Sequence, residues 1–336
     1  MLKVSLITGA SGMDGSILSK QLLDKGHKVI AMLRRTSSPT NWRWQELGIN
    51  GHRNLQVVFG DLSDQSSIDR IVAEHKPNEI YNLAANSFVG SSWNLAESVL
   101  DVTGIGAFRV FEAARKHCKE ARIYCASSSE QFGNNESHVL NEESIMRPVS
   151  PYGAAKLLAY NMAKIYRESY GMFISCGILF NHCGPYRGEE FVTRKISKSV
   201  ALIKHGLLDH ISLGNINTVR DEGSAEEYTQ AMYLILQNPY PDDFVIATGN
   251  SLSVFDFATY AFEVIDINIT MGNIDKYITI DKNLLRPKEL HFLCGDASKA
   301  RAILNWKPKK SVKDIVKEMV EHDLERVKNG MEKHGN

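Results

Sequence analysis

The sequence predicts an α/β protein built on a doubly wound parallel sheet, with a smaller α/β substrate-binding part toward the C-terminus. Three observations carry that prediction. Short β-branched and apolar runs alternate with amphipathic segments through the first half of the chain, the pattern of strands joined by crossover helices. A glycine-rich turn stands between the first such run and the first helix. The residues equipped for chemistry fall at the ends of predicted strands, where ligands lie in sheets of this kind.

Lys3–Thr8 is the first strand, read as buried. Gly9-Ala10-Ser11-Gly12-Met13-Asp14-Gly15 follows at once, and the amphipathic segment Ile17–Lys25 ends at Gly26. Strand, glycine turn and helix in that order seat a dinucleotide pyrophosphate on a helix N-terminus, the arrangement of a Rossmann sheet. The spacing is GxxGxxG, and its position carries more weight than the glycines alone. The second strand, Lys28–Leu33, runs into Arg34-Arg35-Thr36-Ser37-Ser38. A carboxylate here binds the ribose 2′-hydroxyl of NAD, whereas arginines and hydroxyls suit a 2′-phosphate and hence NADP. A solvated basic turn has the same composition. Leu55–Phe59 is the third strand, with Gly60-Asp61-Leu62 at its end for an adenine. Ser66–His75 reads as a helix and Glu79–Ala85 as a fourth strand running toward the cofactor. A long helix follows over Leu95–His117, interrupted by Gly104 and Gly106, and Ala121–Ala126 is the fifth strand.

That strand delivers Ser127-Ser128-Ser129-Glu130, and Tyr152-Gly153-Ala154-Ala155-Lys156 comes soon after. On a helix Tyr152 and Lys156 share a face, one turn apart. An ammonium so close stabilises a phenolate, which can exchange a proton with a sugar or alcohol hydroxyl. Tyrosine and lysine occur at this spacing often by chance. The catalytic reading rests on their company: the Ser128 hydroxyl, the Glu130 carboxylate and the glycine turn.

From Phe173 the pattern loosens into shorter elements. Phe180-Asn181-His182 closes a strand, Pro185-Tyr186-Arg187-Gly188 forms a turn, and a lysine-rich helix starts at Phe191-Val192-Thr193-Arg194-Lys195. Arg194, Lys195, Arg220 and Arg286 are candidates for a nucleotide diphosphate, because guanidinium forks match phosphate oxygens. Any one arginine alone is more often surface charge. Asp243–Thr248 reads as a strand and Val254–Val264 as a helix. Ser311–Lys328 is an amphipathic helix whose apolar stripe packs a core.

Bulk properties narrow the function. The 336 residues suffice for one large domain or two small ones, and 43% hydrophobic with 23% charged residues is ordinary globular composition. Lys+Arg and Asp+Glu are both 39, a neutral balance that argues against nucleic-acid or anionic-membrane partners. No apolar run reaches the roughly 20 residues of a membrane span, and the N-terminus leads into a strand, so a cytoplasmic protein is expected. Five cysteines form no CxxC pair, which points to buried free thiols and no metal site.

Taken end to end, the chain resembles the extended short-chain dehydrogenase/reductases that modify nucleotide sugars, and among them the GDP-mannose 4,6-dehydratase family. The stretches that carry this are TGASGMDGS, RRTSS, GDLSD, PNEIYNLAANSFV, ASSSEQFG, SPYGAAKLLAY, GILFNHCGPYRGEEFVTRKIS, SLGN, DFVIATG, LRPKEL and GDASKARAILNWKP. The NHxxPxRGxxFVTRKIS stretch is far more specific than the tyrosine–lysine pair. The resemblance implies a catalytic set of Ser128, Glu130, Tyr152 and Lys156. It implies NADP held by Gly9, Gly12, Met13, Asp14, Gly15, Arg34, Arg35, Asp61, Leu62, Leu83, Ala84, Ala85 and His182, with Tyr152 and Lys156. It places a GDP-sugar on Ser87, Asn181, Val192, Lys195, Leu213, Gly214, Arg220, Arg286 and Glu289.

The implied activity is a hydro-lyase reaction on GDP-D-mannose with internal hydride transfer. Glu130 separates it from the sugar epimerases and reductases, since dehydration needs a base for the C5 proton and an acid for the C6 hydroxyl. Two departures leave the sugar open, a GDP-manno-heptose fitting the same chemistry. Phe88 stands where the family usually carries a histidine, near the sugar or nicotinamide. Glu222 and Ser224 replace an expected tryptophan and an aromatic or histidine, near the nucleotide. The resemblance further implies residues 1–172 as the NADP-binding and catalytic part. Residues 173–336 become mainly the nucleotide-sugar part, with some segments returning to the main sheet. It implies a homodimer or homotetramer, paired through helices near 95–117 and 152–170, with the Arg35–Arg43 loop reaching a neighbour's cofactor.

Overall fold

β-Branched runs with both faces apolar can only be buried between two helical layers, and this is how the sheet forms. The computed structural model describes residues 2–37, 41–135, 137 and 139–330. In chain order, β1 (Val4–Thr8), α1 (Met13–Asp24), β2 (Lys28–Leu33), α2 (Trp42–Glu46), β3 (Leu55–Phe59), α3 (Gln65–His75) and β4 (Glu79–Asn82) build the first half. A continuous helical segment follows, made of α4 (Ala96–Val99), a π-helical turn (Leu100–Ile105) and α5 (Gly106–His117). Then come β5 (Arg122–Ser128), α6 (Pro151–Tyr170) and β6 (Ile174–Leu179). The segments after β6 are β7 (Asn181–Cys183), α7 (Val192–Lys204), β8 (Ile211–Leu213), β9 (Val219–Ser224) and α8 (Ala225–Gln237). The chain ends with β10 (Phe244–Ile246), β11 (Ser251–Ser253), α9 (Val254–Glu263), β12 (Ile278–Ile280), β13 (Phe292–Leu293), α10 (Ser298–Leu304) and α11 (Val312–Lys328).

Seven parallel strands make the main sheet in the order β10-β6-β5-β4-β1-β2-β3. The order reverses between β1 and β4, which opens a crevice beyond the carboxyl ends of those strands. The expected strand Glu79–Ala85 stops at Asn82. The Thr8 hydroxyl at the end of β1 accepts from the Leu83 and Ala84 amides, 3.0 Å each, and so takes them out of the ladder. The fifth strand runs further than expected, to Ser128.

Two apolar cores hold the parts together. The larger lies on both faces of the main sheet around Leu6, Ile30, Ile80, Phe111, Ile123 and Ile178. The smaller joins α7, α9 and α11 through Ile196, Val200, Phe257, Phe262, Ile315 and Met319. Strands β7, β9, β11 and β13 form a second small sheet, and β8 pairs with β12. Helix α6, which carries the tyrosine–lysine pair, starts with the Ser150 hydroxyl accepting from the Gly153 amide, has Pro151 in its first turn, and stops at Gly171 with φ 65°. A cap of this kind contributes about 1 kcal/mol and fixes where the helix begins. All five cysteines are free thiols. No helix among the described residues is long and apolar enough to cross a membrane.

Candidate active site

The glycine turn lies under the crevice because side chains would not fit there. Gly9 has φ +67°, and a Cβ on it would come within 2.9 Å of the Ala84 backbone. A Cβ on Gly15 would sit 2.3 Å from the Gly9 carbonyl. The turn therefore packs flat against the segment after β4 and presents the N-terminus of α1 to the cleft, a ready seat for an anionic pyrophosphate. Asp14, in that first turn, accepts from His182 Nε2 at 3.0 and 3.1 Å, while His182 Nδ1 donates to the Phe180 carbonyl at 2.9 Å. Burial opposes both charges. The pairing overcomes it, holding the Asp14 carboxyl below the ordinary range and raising His182. The ring stacks on Tyr228 at 4.8 Å.

At the other end of this half, Arg34 and Thr36 line the cleft beside Asp61 and Leu62. The Asp61 carboxylate accepts from the Ser63 amide (2.9 Å) and hydroxyl (2.7 Å), which keep its proton affinity low. Arg35 is exposed and does not join the lining, and Ser38 lies outside the described residues. Arg43 joins it instead. Its Nε donates to the Tyr186 carbonyl at 2.7 Å and its Nη1 to the Ser11 carbonyl at 3.2 Å. Burial and the neighbouring Arg194 push this guanidinium down to about 10, still charged at neutral pH.

β5 and α6 meet at the centre. Ser128 ends β5, and its hydroxyl accepts from the Glu130 amide at 3.3 Å, starting a short 3-10 turn. A Cβ on Gly153 would sit 2.7 Å from the Glu130 carbonyl, so a glycine between Tyr152 and Lys156 lets α6 touch that turn. The Lys156 ammonium donates to the Ala126 carbonyl at 2.6 Å and lies 5.7 Å from the centre of the Tyr152 ring. Glu130 is buried, with Arg286 Nη1 4.0 Å from its carboxylate. Burial raises its carboxyl above the ordinary range, against the lowering effect of Arg286 and Arg220.

The second half of the cleft comes from the later elements. Asn181 and His182 on β7, Val192 and Lys195 on α7, Leu213 with Gly214, Arg220 on β9, and Arg286 with Glu289 all line it. Arg286 Nε lies 3.6 Å from Glu289. Leu83, Ala84, Ala85 and Ser87 bridge the two halves, and the whole cleft holds about 710 Å³. Phe88 stands edge-on to Phe191 at 5.8 Å, and the Arg187 guanidinium lies over Phe191 at 3.8 Å.

Two sequence expectations change here. Arg194 does not reach the cleft: it is buried, 2.7 Å from Asp323, and donates to the Pro185 carbonyl. A guanidinium cannot stay buried without an acceptor, and α11 supplied one. Glu222 lies beside His182, Cys183 and Arg187, so it faces the His182 side of the cleft as well as Arg220. Arg43 rests on its own chain, donating to the Ser11 carbonyl. Arg43, Arg187, Phe191 and Glu222 were absent from the predicted set. Arg187 had a readable signal, its place in the NHxxPxRG stretch, whereas Arg43 was named only as the end of a loop toward a neighbour's cofactor.

Comparison with known proteins decides the family. The family model for GDP-mannose 4,6 dehydratase matches residues 6–319. The chain belongs to the GDP-mannose 4,6-dehydratase family. It is 43% identical over 342 residues to GDP-mannose 4,6 dehydratase of Cricetulus griseus, covering 96% of this chain and 92% of that one. It is equally identical to the Homo sapiens protein of the same description, over 96% and 91%. Among solved structures, dTDP-glucose 4,6-dehydratase from Bacillus anthracis in complex with NAD superposes with a TM-score of 0.82 at 21% identity, over 98% of both chains. That likeness is one of fold, and it agrees with the seven-stranded parallel sheet.

Proposed function

We propose that this family member is a hydro-lyase that converts GDP-D-mannose to GDP-4-keto-6-deoxy-D-mannose, with NADP as its resident hydride carrier. The observation that carries the reading is Glu130, a buried carboxyl two residues beyond Ser128, with the Arg286 guanidinium 4.0 Å away and Arg220 acting on it by charge. The cradle made by Gly9, Gly12 and Gly15 fits a dinucleotide pyrophosphate. Arg34 and Thr36 at the end of β2 favour a 2′-phosphate. When bound there, the nicotinamide accepts the C4 hydride and returns it to C6, so turnover leaves no net oxidation.

The chain's own groups do the rest. Tyr152, as phenolate beside Lys156, takes the proton from the sugar O4, and Ser128 hydrogen-bonds that oxygen as it becomes a ketone. The ketone acidifies C5–H. Glu130 removes that proton and passes it to the C6 hydroxyl, which leaves as water, and a proton returns to C5 from Glu130, recharged from solvent, as the hydride reaches C6. A carboxyl whose proton affinity is raised by burial serves both steps. Arg220, Arg286 and Lys195 hold the diphosphate by charge, with Glu289, Asn181, Val192, Leu213 and Gly214 completing the nucleotide-sugar pocket. Residues 1–172 then carry cofactor and catalysis, and 173–336 mainly the sugar nucleotide. Exposed Leu100, Ile105, Leu158 and Ile165 on the π-helical turn and α6 support pairing with a second copy.

The test is incubation of the purified protein with GDP-mannose, followed by mass spectrometry and nicotinamide absorbance. Loss of one water with no net absorbance change is expected. Water loss from GDP-D-glycero-D-manno-heptose alone would keep the mechanism and change the sugar. Net consumption of NADPH on a 4-keto sugar would overturn the assignment in favour of a reductase.

A further inference from the structure

Asp221 and Glu222 are neighbours on β9, both buried, and their surroundings treat them differently. The Asp221 carboxylate accepts from the Thr248 amide (2.8 Å) and hydroxyl (2.7 Å), the Gly249 amide (2.8 Å) and the Gly295 amide (3.2 Å). Its hydrogen-bonding capacity is used up in holding the chain together. Glu222 has one donor among the described residues, the Cys183 thiol, and thiols donate weakly. Arg187 is its main favourable charge, yet among the described residues the two form no hydrogen bond and the buried Arg187 Nε has no hydrogen-bond partner. A buried carboxyl supplied this poorly is costly unless a ligand completes its bonds. Glu222 lines the cleft, so a ligand can.

Its position says which part of a ligand. Glu222 lies across from Asn181 in the β7–β9 pairing and beside His182, which holds Asp14 at the N-terminus of α1. A dinucleotide with its pyrophosphate on that N-terminus and its adenosine at Arg34 has its other half running along β7 toward Tyr152 and Lys156. The neutral donors at that end of the molecule are the ribose hydroxyls, on the side of Tyr152 and Lys156, and the carboxamide N–H beyond them. On the dinucleotide reading given above, we propose that Glu222 is a cofactor-contacting residue that accepts a hydrogen bond from the nicotinamide carboxamide and fixes which face of the ring meets the sugar. Burial raises the Glu222 carboxyl and Arg187 opposes that, as expected of an acceptor facing a ligand rather than water.

The experiment measures, by titration calorimetry, the affinities of NADP and of its 3-acetylpyridine analogue, in which a methyl replaces the amide nitrogen. Wild-type protein should prefer NADP by roughly tenfold, the worth of one hydrogen bond to a charged acceptor. In Glu222→Leu the two dinucleotides should bind within about twofold of each other. Glu222→Gln should keep a smaller preference, about threefold, because its amide oxygen still accepts but carries no charge. Glu222→Asp retracts the carboxylate by one methylene and should lose most of the preference, which provides the test if the leucine variant does not fold. A leucine or aspartate variant that discriminates like wild type would overturn the inference. Wild-type protein that binds neither dinucleotide would overturn the cofactor reading itself, and the inference with it.

Discussion

Two buried glutamates sit at opposite ends of the same sheet. Glu79, at the amino end of β4, is fully buried and accepts from Ser5 Oγ at 3.2 Å, Tyr81 OH at 3.0 Å and Gln237 Nε2 at 2.9 Å, with Lys3 Nζ at 2.5 Å. Glu130, beyond the carboxyl end of β5, is nearly as buried, and among the described residues its one ion pair is with Arg286 at 4.0 Å. Burial alone does not tell a structural carboxylate from a chemical one. The difference is whether the protein completes its bonds or leaves them to something else.

The contrast is testable by exchanging what each glutamate does. Glu130→Gln should cut dehydration by roughly 10²–10⁴-fold, the usual contribution of a positioned acid–base group, while urea unfolding stays near wild type. Parallel losses of stability and activity would place Glu130 with Glu79. Glu79→Leu should do the reverse. It strands Ser5, Tyr81, Gln237 and Lys3, costs about 3 kcal/mol of unfolding free energy and leaves kcat unchanged.

A finer test uses pH. On the proposed mechanism Glu130 acts as base only when ionised, and Arg286 lowers its proton affinity against the raising effect of burial. The acid limb of kcat/KM should therefore lie above the ordinary carboxylate range, with rate rising as pH rises through it. Arg286→Met should move that limb further up. A limb that stays in place would mean that Arg286 does not tune Glu130. The smallest effect is expected from Lys3→Met. Lys3 is partly exposed and Glu79 keeps its three neutral donors, so unfolding should shift by less than about 1 kcal/mol.

Much of this was legible in the sequence, and the gaps have physical causes. The β2 boundaries could be read directly, because buried parallel strands are continuous apolar runs ended by glycine or charge, and the end of the partly exposed edge strand β3 was marked by Gly60-Asp61. Ser128, Glu130, Tyr152 and Lys156 were also legible, since each sits at a strand end or on one helix face. The end of β4 was not. It depends on the Thr8 hydroxyl, a partner distant in sequence. Arg194 and Arg220 read alike, yet one met Asp323 of α11 and the other faces the cleft. A guanidinium does not announce whether its acceptor will be a carboxylate or a phosphate. Glu222 was visible as an unusual residue, but what it lacks could be seen only beside the four donors given to Asp221.

The most direct test of the account uses GDP-mannose carrying deuterium at C4, with the purified protein and no added reductant. If one cleft oxidises, dehydrates and reduces the sugar in a single visit, the keto-deoxy product carries the label at C6. Product with hydrogen at C6, or label released into the free nicotinamide pool, would contradict the assignment of all three steps to this site.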